Sequence, residues 1–252
     1  MKKMIVLLLV LLLAIPMSGC LKEDVVLDEM KEYAVSSDIH SLDICINAAV
    51  FSIKLSDKIA IESNLKYLLV KEENGVLTIF EEARRNADYR DAELILYLPA
   101  NVIYENVSIE TGAAAMNVET LSAVSLTLGL GAGNINFKHL NVTQHANIEG
   151  GAGEINILDG TLNNLNLEMG IGALNMTAAL LGSNQLEFGV GDANLTILGS
   201  KDDYRMDIEK GIGSVTVDGK KVTDFGSSGN GKNFLEIDSG VGSVNLTFQE
   251  TE

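Results

Sequence analysis

A glycine-centred motif recurs seven times between Gly112 and Gly242, and it restricts the fold of this chain more than any other feature. Each copy reads glycine, any residue, a small residue, two further residues, a polar residue and an apolar residue. The first glycines of successive copies lie 19, 20, 19, 19, 22 and 29 residues apart. Self-similarity at such a period is typical of a solenoid, in which each repeat forms one coil.

Apolar residues flank each motif in a pattern that predicts two short strands per coil. They recur five positions before the second glycine, as at Leu167, and two and four positions after it, as at Leu174 and Met176. Glycine adopts bent or left-handed backbone at little cost, so we expect the motif to form the corner between the strands. A period of two then points the apolar pair inward and the polar residue between them outward.

The outward polar position holds asparagine in all but one copy. The asparagines are Asn117, Asn136, Asn156, Asn175, Asn194 and Asn245, and the remaining copy has Thr216. Parallel coils stack about 4.7–4.9 Å apart, so these side chains can form an external row of hydrogen-bonded amides. We interpret the row as a structural ladder, and a binding surface is the alternative interpretation.

Residues 40–108 predict an N-terminal β region that is continuous with the regular repeats of residues 109–252. Its short segments are rich in β-branched or aromatic residues and mostly alternate in polarity. The predicted strands are 42–46, 50–55, 59–61, 67–70, 76–80 and 93–98. Asn74-Gly75 separates two of them and predicts a tight hairpin.

The first 19 residues predict a bacterial lipoprotein signal peptide. Lys2 and Lys3 precede an apolar run over 5–15, which is too short to span a bilayer. Ser18 and Gly19 directly before Cys20 resemble a lipobox, although Met17 stands where leucine is usual. By that resemblance Cys20 is lipidated, and two acyl chains anchor the protein. The charged, weakly periodic residues after it predict a short tether or a first helical turn, so that residues 20–39 comprise the lipidated cysteine and the tether. An ordinary signal peptide with an incidental cysteine is the alternative.

The net charge excludes some classes of partner. The formal net charge is −17, and it becomes −19 once the two signal lysines are removed. Such a surface repels nucleic acid and anionic lipid headgroups, so no nucleic-acid partner is expected.

Cys45 lies in the alternating segment 42–46, and we interpret it as a small core residue.

The sequence contains few candidates for catalytic or metal-binding residues. The best candidate for a polysaccharide-cleaving site is the acidic stretch with an arginine at Asp202, Asp203, Arg205 and Asp207, with Asp218 nearby on the next coil. His40, His139 and His145 are scattered and lack partners at metal-ligand spacing. We therefore predict no metal, no cofactor and no enzymatic activity.

The longer motif spacings and the C-terminus carry two further expectations. The spacings of 22 and 29 residues place loops at 199–205 and 218–232. Residues 249–252 are polar or acidic and follow the last motif. We expect their charge to keep other strands from adding to the open edge of the final coil.

The chain resembles the bacterial DUF4097 adhesin-like family over about residues 40–248. Along the sequence, the resemblance is carried by the strand 74–79, the segments 92–99 and 107–112, and then the repeated motif. The resemblance implies an all-β fold, a right-handed parallel β-helix or solenoid at the cell envelope, with coils here of about 19–20 residues. It supplies no catalytic residues.

We therefore expect a non-enzymatic, lipid-anchored extracytoplasmic protein that acts as an adhesin or envelope scaffold and binds a surface ligand. The first alternative is a regulatory lipoprotein that senses the state of the envelope and acts through a membrane-protein partner. A polysaccharide-active β-helix enzyme is the second.

Overall fold

The computed structural model describes residues 26–36, 38–82, 84, 88–223 and 226–250, and these residues form an all-β solenoid. The predicted signal peptide and Cys20 lie outside the described residues. The strands are β1 Leu27–Ala34, β2 Ser41–Ile46, β3 Val50–Leu55, β4 Ala60–Leu65, β5 Leu68–Glu73, β6 Val76–Glu81, β7 Glu93–Leu98, β8 Tyr104–Thr111, β9 Met116–Ile157, β10 Gly160–Asn163, β11 Leu165–Leu181, β12 Ser183–Leu198, β13 Tyr204–Val217, β14 Lys220–Lys221, β15 Gly226–Ser228 and β16 Asn233–Gln249. Within the described ranges, no helix is long and apolar enough to cross a membrane.

The N-terminal β region contains the predicted strands and hairpin. β3 and β7 have the predicted bounds, and β2 begins one residue earlier than expected. β5 and β6 pair in antiparallel fashion across Asn74 and Gly75, whose φ angles are 51° and 74°. Positive φ at both central residues is typical of the tight turns that join hairpin strands, so the prediction of a hairpin is confirmed.

The segment before this region differs from the prediction of a tether or helical turn. Residues 27–34 form β1, which pairs in antiparallel fashion with β4. Leu27 and Tyr33 pack against the hydrophobic core. Burial of these side chains and hydrogen bonding to the edge of β4 therefore outweigh the weak helical tendency of this charged sequence.

Parallel strands β9 to β12 build the regular coils. Leu174 and Met176 are buried whereas Asn175 points outward, as the alternating pattern predicts. A third short segment, β10, pairs with β9 on one side and β11 on the other. This coil therefore has three strand segments instead of the predicted two.

The glycine corners are so closely stacked that no side chain fits at the second glycine of the motif. Gly172 and Gly191 pair in register and have φ angles of 148° and 143°. A Cβ atom on Gly191 would lie 1.7 Å from the backbone oxygen of Gly172. Both the backbone conformation and the contact between coils thus require glycine.

The last two coils stack in the reverse of their sequence order. β16, the last strand, lies between β12 and β13. Asn194 of β12 pairs with Asn245 of β16, which in turn pairs with Thr216 of β13. The expectation that residues 249–252 protect the open edge is therefore wrong, because β13 is the outer coil and β14 and β15 pair with its ends. The long excursion at 218–232 allows the chain to return beside β12.

Cys45 is not a core residue. Leu42, Ile44 and Ile46 are almost completely buried, whereas Cys45 is half-buried and points outward between them. Burial, followed by the carboxylates of Glu110 and Asp43, raises the pKa of the Cys45 thiol. The alternation of the strand places positions 43 and 45 on the same outer face.

Candidate binding face along the glycine corners

A row of carboxylates runs along the outer face of the strand that precedes each glycine corner. Successive members pair in register across five neighbouring strands, so each lies about 4.8 Å from the next along the stack. This acidic row consists of Glu149, Glu168, Glu187, Asp238 and Glu209. It follows the spatial order of the coils and crosses the reversed pair without a break.

Two members of the acidic row accept hydrogen bonds from neutral side chains on their own strands. Glu149 and Glu187 accept hydrogen bonds from the side-chain amides of Asn147 and Gln185, at 3.1 and 3.0 Å. These neutral donors leave the carboxylate charges in place. Like charges directly opposite one another on neighbouring strands destabilise a sheet, so the row costs folding free energy.

An apolar ridge lies at the same corners, three positions after the acidic row along each strand. The middle residue of the motif points into solvent, and these residues also pair in register from coil to coil. The ridge consists of Ala152, Ile171, Val190, Val241 and Ile212. The last four are 61%, 48%, 45% and 75% exposed, and together they form a continuous stripe of β-branched side chains. Single exposed apolar residues are common, but an aligned series of them is typical of a binding surface.

A groove of about 680 Å³ follows the corner and contains the acidic row from Glu149 to Asp238 in its wall. Met169 and Phe188 line it together with backbone of the corner glycines, including Gly170. Backbone of these glycines is exposed in the groove beside the acidic row. Each ridge residue follows an acidic residue by three positions on the same strand. The face can therefore offer negative charge, apolar contact and backbone groups to an elongated ligand.

The asparagine row lies on the strand that follows the corner. Each side-chain amide donates to the side-chain oxygen of the preceding asparagine: Asn136 to Asn117, Asn156 to Asn136, Asn175 to Asn156, Asn194 to Asn175 and Asn245 to Asn194, at 2.8–3.1 Å. Thr216 Oγ1 donates to Asn245 at 3.0 Å and ends the row on the outermost coil. The amides thus bond mainly to one another, and we retain the structural ladder as our interpretation.

The structure distributes the candidate catalytic residues among separate structural contacts. Asp218 pairs with Lys201 at 3.4 Å and accepts from the backbone N–H of Phe248. Asp207 accepts from the Ser227 hydroxyl at 2.8 Å. The Arg205 guanidinium lies over the ring of Phe234. Asp202 lines a different cavity, at the β13 end of the core. These contacts do not assemble two carboxylates around a common groove.

The histidines and the buried carboxylate Glu81 are likewise separate. His40 lies 3.3 Å from Glu105, and His139 lies 2.9 Å from Asp159. In the part of the chain that the structure describes, no group of three or more histidine, cysteine or acidic residues is arranged to hold a metal ion. The Glu81 carboxylate accepts backbone N–H groups of the 47–48 turn, a structural contact.

The acidic row and the apolar ridge each occupy a fixed position of the repeated motif, although we did not predict either as a site from the sequence. The acidic residues all occupy the fourth position before the second glycine, and the ridge occupies the middle of the glycine pair. The sequence does not reveal in which direction these side chains point at the corner. A period of two predicts which side chains point outward within a strand, but not where a side chain points inside a corner.

Comparison with known proteins finds one matching family and several similar solved structures. A model of the Toastrack DUF4097 family matches residues 52–247. A solved structure of a putative adhesin from Bacteroides fragilis is similar, with a TM-score of 0.41 and 11% identity, over 86% of this chain and 95% of that chain. A putative cell adhesion protein from Clostridium sporogenes has a TM-score of 0.39 and 13% identity, over 88% of this chain and 99% of that chain. A putative adhesin from Parabacteroides distasonis has a TM-score of 0.36 and 16% identity, over 88% of this chain and 100% of that chain. No curated protein matches the chain.

Proposed function

The chain belongs to the Toastrack DUF4097 family, and from that premise we propose that it is a non-enzymatic, lipid-anchored extracytoplasmic protein that binds a ligand at the cell surface. The observation that supports binding is the glycine-corner groove. The acidic row lines this groove, and the apolar ridge follows the same coils in register and is exposed. An exposed apolar stripe beside destabilising like charges is difficult to account for as packing, and a ligand gives it a role.

The position of the groove suits a protein held at its N-terminus. β1 lies at one end of the stack and the coil of β13 lies near the other. Roughly ten strand-to-strand steps of about 4.8 Å separate them, which gives about 50 Å. With Cys20 lipidated just before β1, the larger ridge residues, Ile171 to Ile212, would be carried away from the membrane.

The lipid anchor is tested first. Producer cells are grown with a clickable fatty-acid analogue, and the protein is recovered from the membrane fraction. We expect label on the wild-type protein and none on Cys20→Ala, with Cys45→Ala labelled like the wild type. Label that persists in Cys20→Ala would contradict anchoring at this residue.

Binding is tested with the chain from residue 21 onward, which retains every described residue. The fluorescent protein is applied to the producer's isolated cell walls, to intact cells and to host-type matrices. We expect saturable binding to one of them that weakens when Ile171 and Val190 are both changed to serine. Leu55→Ser and Leu158→Ser together remove exposed apolar area elsewhere and serve as the control.

The regulatory alternative gives a different result in the same cells. A membrane-protein partner predicts no saturable binding to walls or matrices, together with crosslinks from the anchored chain to one membrane protein. The polysaccharide-cleaving alternative predicts polymer breakdown that is lost in the Asp202→Ala, Asp203→Ala double variant. Absence of binding, crosslinks and breakdown would contradict all three functions.

A further inference from the structure

We infer that the glycine-corner groove takes an extended, basic polypeptide segment in which cationic and apolar residues alternate; this inference rests on the proposed function. A ligand of this chemistry would contact the acidic row through its cationic side chains and the apolar ridge through its apolar ones.

Charge determines the class of partner. The protein is strongly acidic, with a net charge of −17, and four of the five carboxylates of the acidic row line one groove wall. A cationic partner relieves the repulsion between them, and the attraction also increases the association rate. A second copy of this chain would place acidic surface against acidic surface, and anionic glycans or phospholipids would be repelled in the same way.

Geometry favours an extended segment over a single cation. Side chains of an extended strand alternate between two sides, about 3.3 Å apart along the chain. Each ridge residue follows an acidic residue by three positions on the same strand. A segment lying along the solenoid axis between the two would direct one set toward the acidic row and the other toward the apolar ridge. The five coils span about 19 Å, which corresponds to about six extended residues. Gly170 and Gly189 line the groove, so the backbone of this segment would lie against the backbone of the corner.

The test uses three labelled seven-residue peptides with blocked ends and fluorescence anisotropy. The first is Lys-Val-Lys-Val-Lys-Val-Lys, the second has the same composition in blocks, Lys-Lys-Lys-Lys-Val-Val-Val, and the third replaces each lysine of the first with glutamate. We expect the alternating basic peptide to bind best, the block peptide more weakly and the acidic peptide not at all. Binding should weaken as sodium chloride is raised, because salt screens exposed charges.

Variants assign the binding to the groove. Glu168→Gln with Glu187→Gln should weaken binding of the alternating peptide by about three- to tenfold, the range expected for two exposed ion pairs. Glu29→Gln with Glu32→Gln removes the same charge from exposed positions on β1 and should leave affinity unchanged. Ile171→Ser with Val190→Ser should weaken the alternating peptide more than the block peptide.

The outcomes separate this inference from the proposed function. Equal binding of the alternating and block peptides, or equal losses in both glutamine variants, means general attraction to an acidic protein and overturns the inference. Failure of the basic peptides, with retained saturable binding to walls or cells, also overturns it but leaves the proposed function standing. Failure of both kinds of binding contradicts both.

Discussion

At the scale of single residues, Tyr104 is a buried group with an unsatisfied polar atom. Its side chain is 1% exposed, and its hydroxyl has no hydrogen-bond partner among the described residues. Burial raises the pKa of Tyr104 to about 12. An unsatisfied buried hydroxyl costs free energy in the folded state at every pH at which it stays protonated.

We therefore expect Tyr104→Phe to raise the free energy of unfolding at pH 7 by about 0.5–1 kcal/mol. In the wild type, the raised pKa means that stability is fully present below about pH 10 and falls as pH rises toward 12. This loss amounts to about 2–3 kcal/mol for a shift of about two units. Tyr104→Phe should reduce that alkaline loss.

Urea unfolding at pH 7 and at several values between 9.5 and 11.5 measures both effects, with Tyr33→Phe on β1 as the control. A Tyr104→Phe variant that is less stable at pH 7, or that keeps the wild-type alkaline slope, contradicts the prediction.

Cys45 illustrates what sequence can decide for one residue. Its apolar neighbours Leu42, Ile44 and Ile46 are inward, and period two already places Cys45 on the opposite face with Asp43. We predicted a core position because cysteine is so often buried. The alternation of the strand was the more reliable signal, because successive side chains of a strand point to opposite faces.

At the scale of elements, the asparagine row offers a direct test of coil-to-coil cohesion. Asn156 donates to Asn136 at 2.9 Å and accepts from Asn175 at 2.8 Å. Asn156→Leu removes both bonds, and we expect the free energy of unfolding to fall by about 1–3 kcal/mol. Asn117→Leu removes one such bond and should cost about half as much. Thermal and urea unfolding measure the effect, and an unchanged midpoint for Asn156→Leu would show that the row is idle surface.

The reversed order of β13 and β16 is tested by disulfide trapping in a Cys45→Ser background. Gln185 of β12 pairs with Glu236 of β16, whereas Asp207 of β13 lies one strand further away. Cysteines at 185 and 236 should therefore form a disulfide, because neighbouring strands are within its usual Cα range. Cysteines at 185 and 207, about 9.5 Å apart, should not. Peptide mapping without reductant distinguishes the two, and a 185–207 disulfide in place of 185–236 would mean that the coils follow sequence order.

The motif predicted the elements well but could not predict this order. Gly211-Ile212-Gly213-Ser214-Val215 and Gly240-Val241-Gly242-Ser243-Val244 are nearly the same sequence, so either coil can stack on Gly191. The long excursion at 218–232 and Thr216 in the asparagine row were the available signals. Thr216 has a single hydroxyl donor, which suits the end of a row better than its interior.

At the scale of the whole molecule, the stacking of the coils brings one acidic residue from each of five repeats into a single row. The net charge of −17 was plain from composition. That Glu168, Glu187 and Asp238 lie on one groove wall depends on the stacking of the coils, including the return of β16 to β12. The groove is therefore a property of the assembled coils, and no single repeat contains it.

This arrangement predicts that salt stabilises the protein. Raising sodium chloride from about 20 mM to about 500 mM shortens the screening length and weakens the repulsion along the row. We expect the midpoint of thermal unfolding to rise by about 2–5 °C, which corresponds to about 1 kcal/mol or slightly more. The triple variant Glu168→Gln, Glu187→Gln, Asp238→Asn should have a higher midpoint at low salt and a smaller increase with salt.

The matched triple variant Glu29→Gln, Glu32→Gln, Asp38→Asn changes three exposed carboxylates near β1 and alters the net charge equally. If the repulsion is concentrated in the groove, this control keeps most of the wild-type salt dependence. Equal behaviour of the two triples would mean that total charge alone sets the stability. The acidic row would then carry no excess repulsion for a cationic partner to relieve, and the case for a basic ligand would rest on shape and the apolar ridge alone.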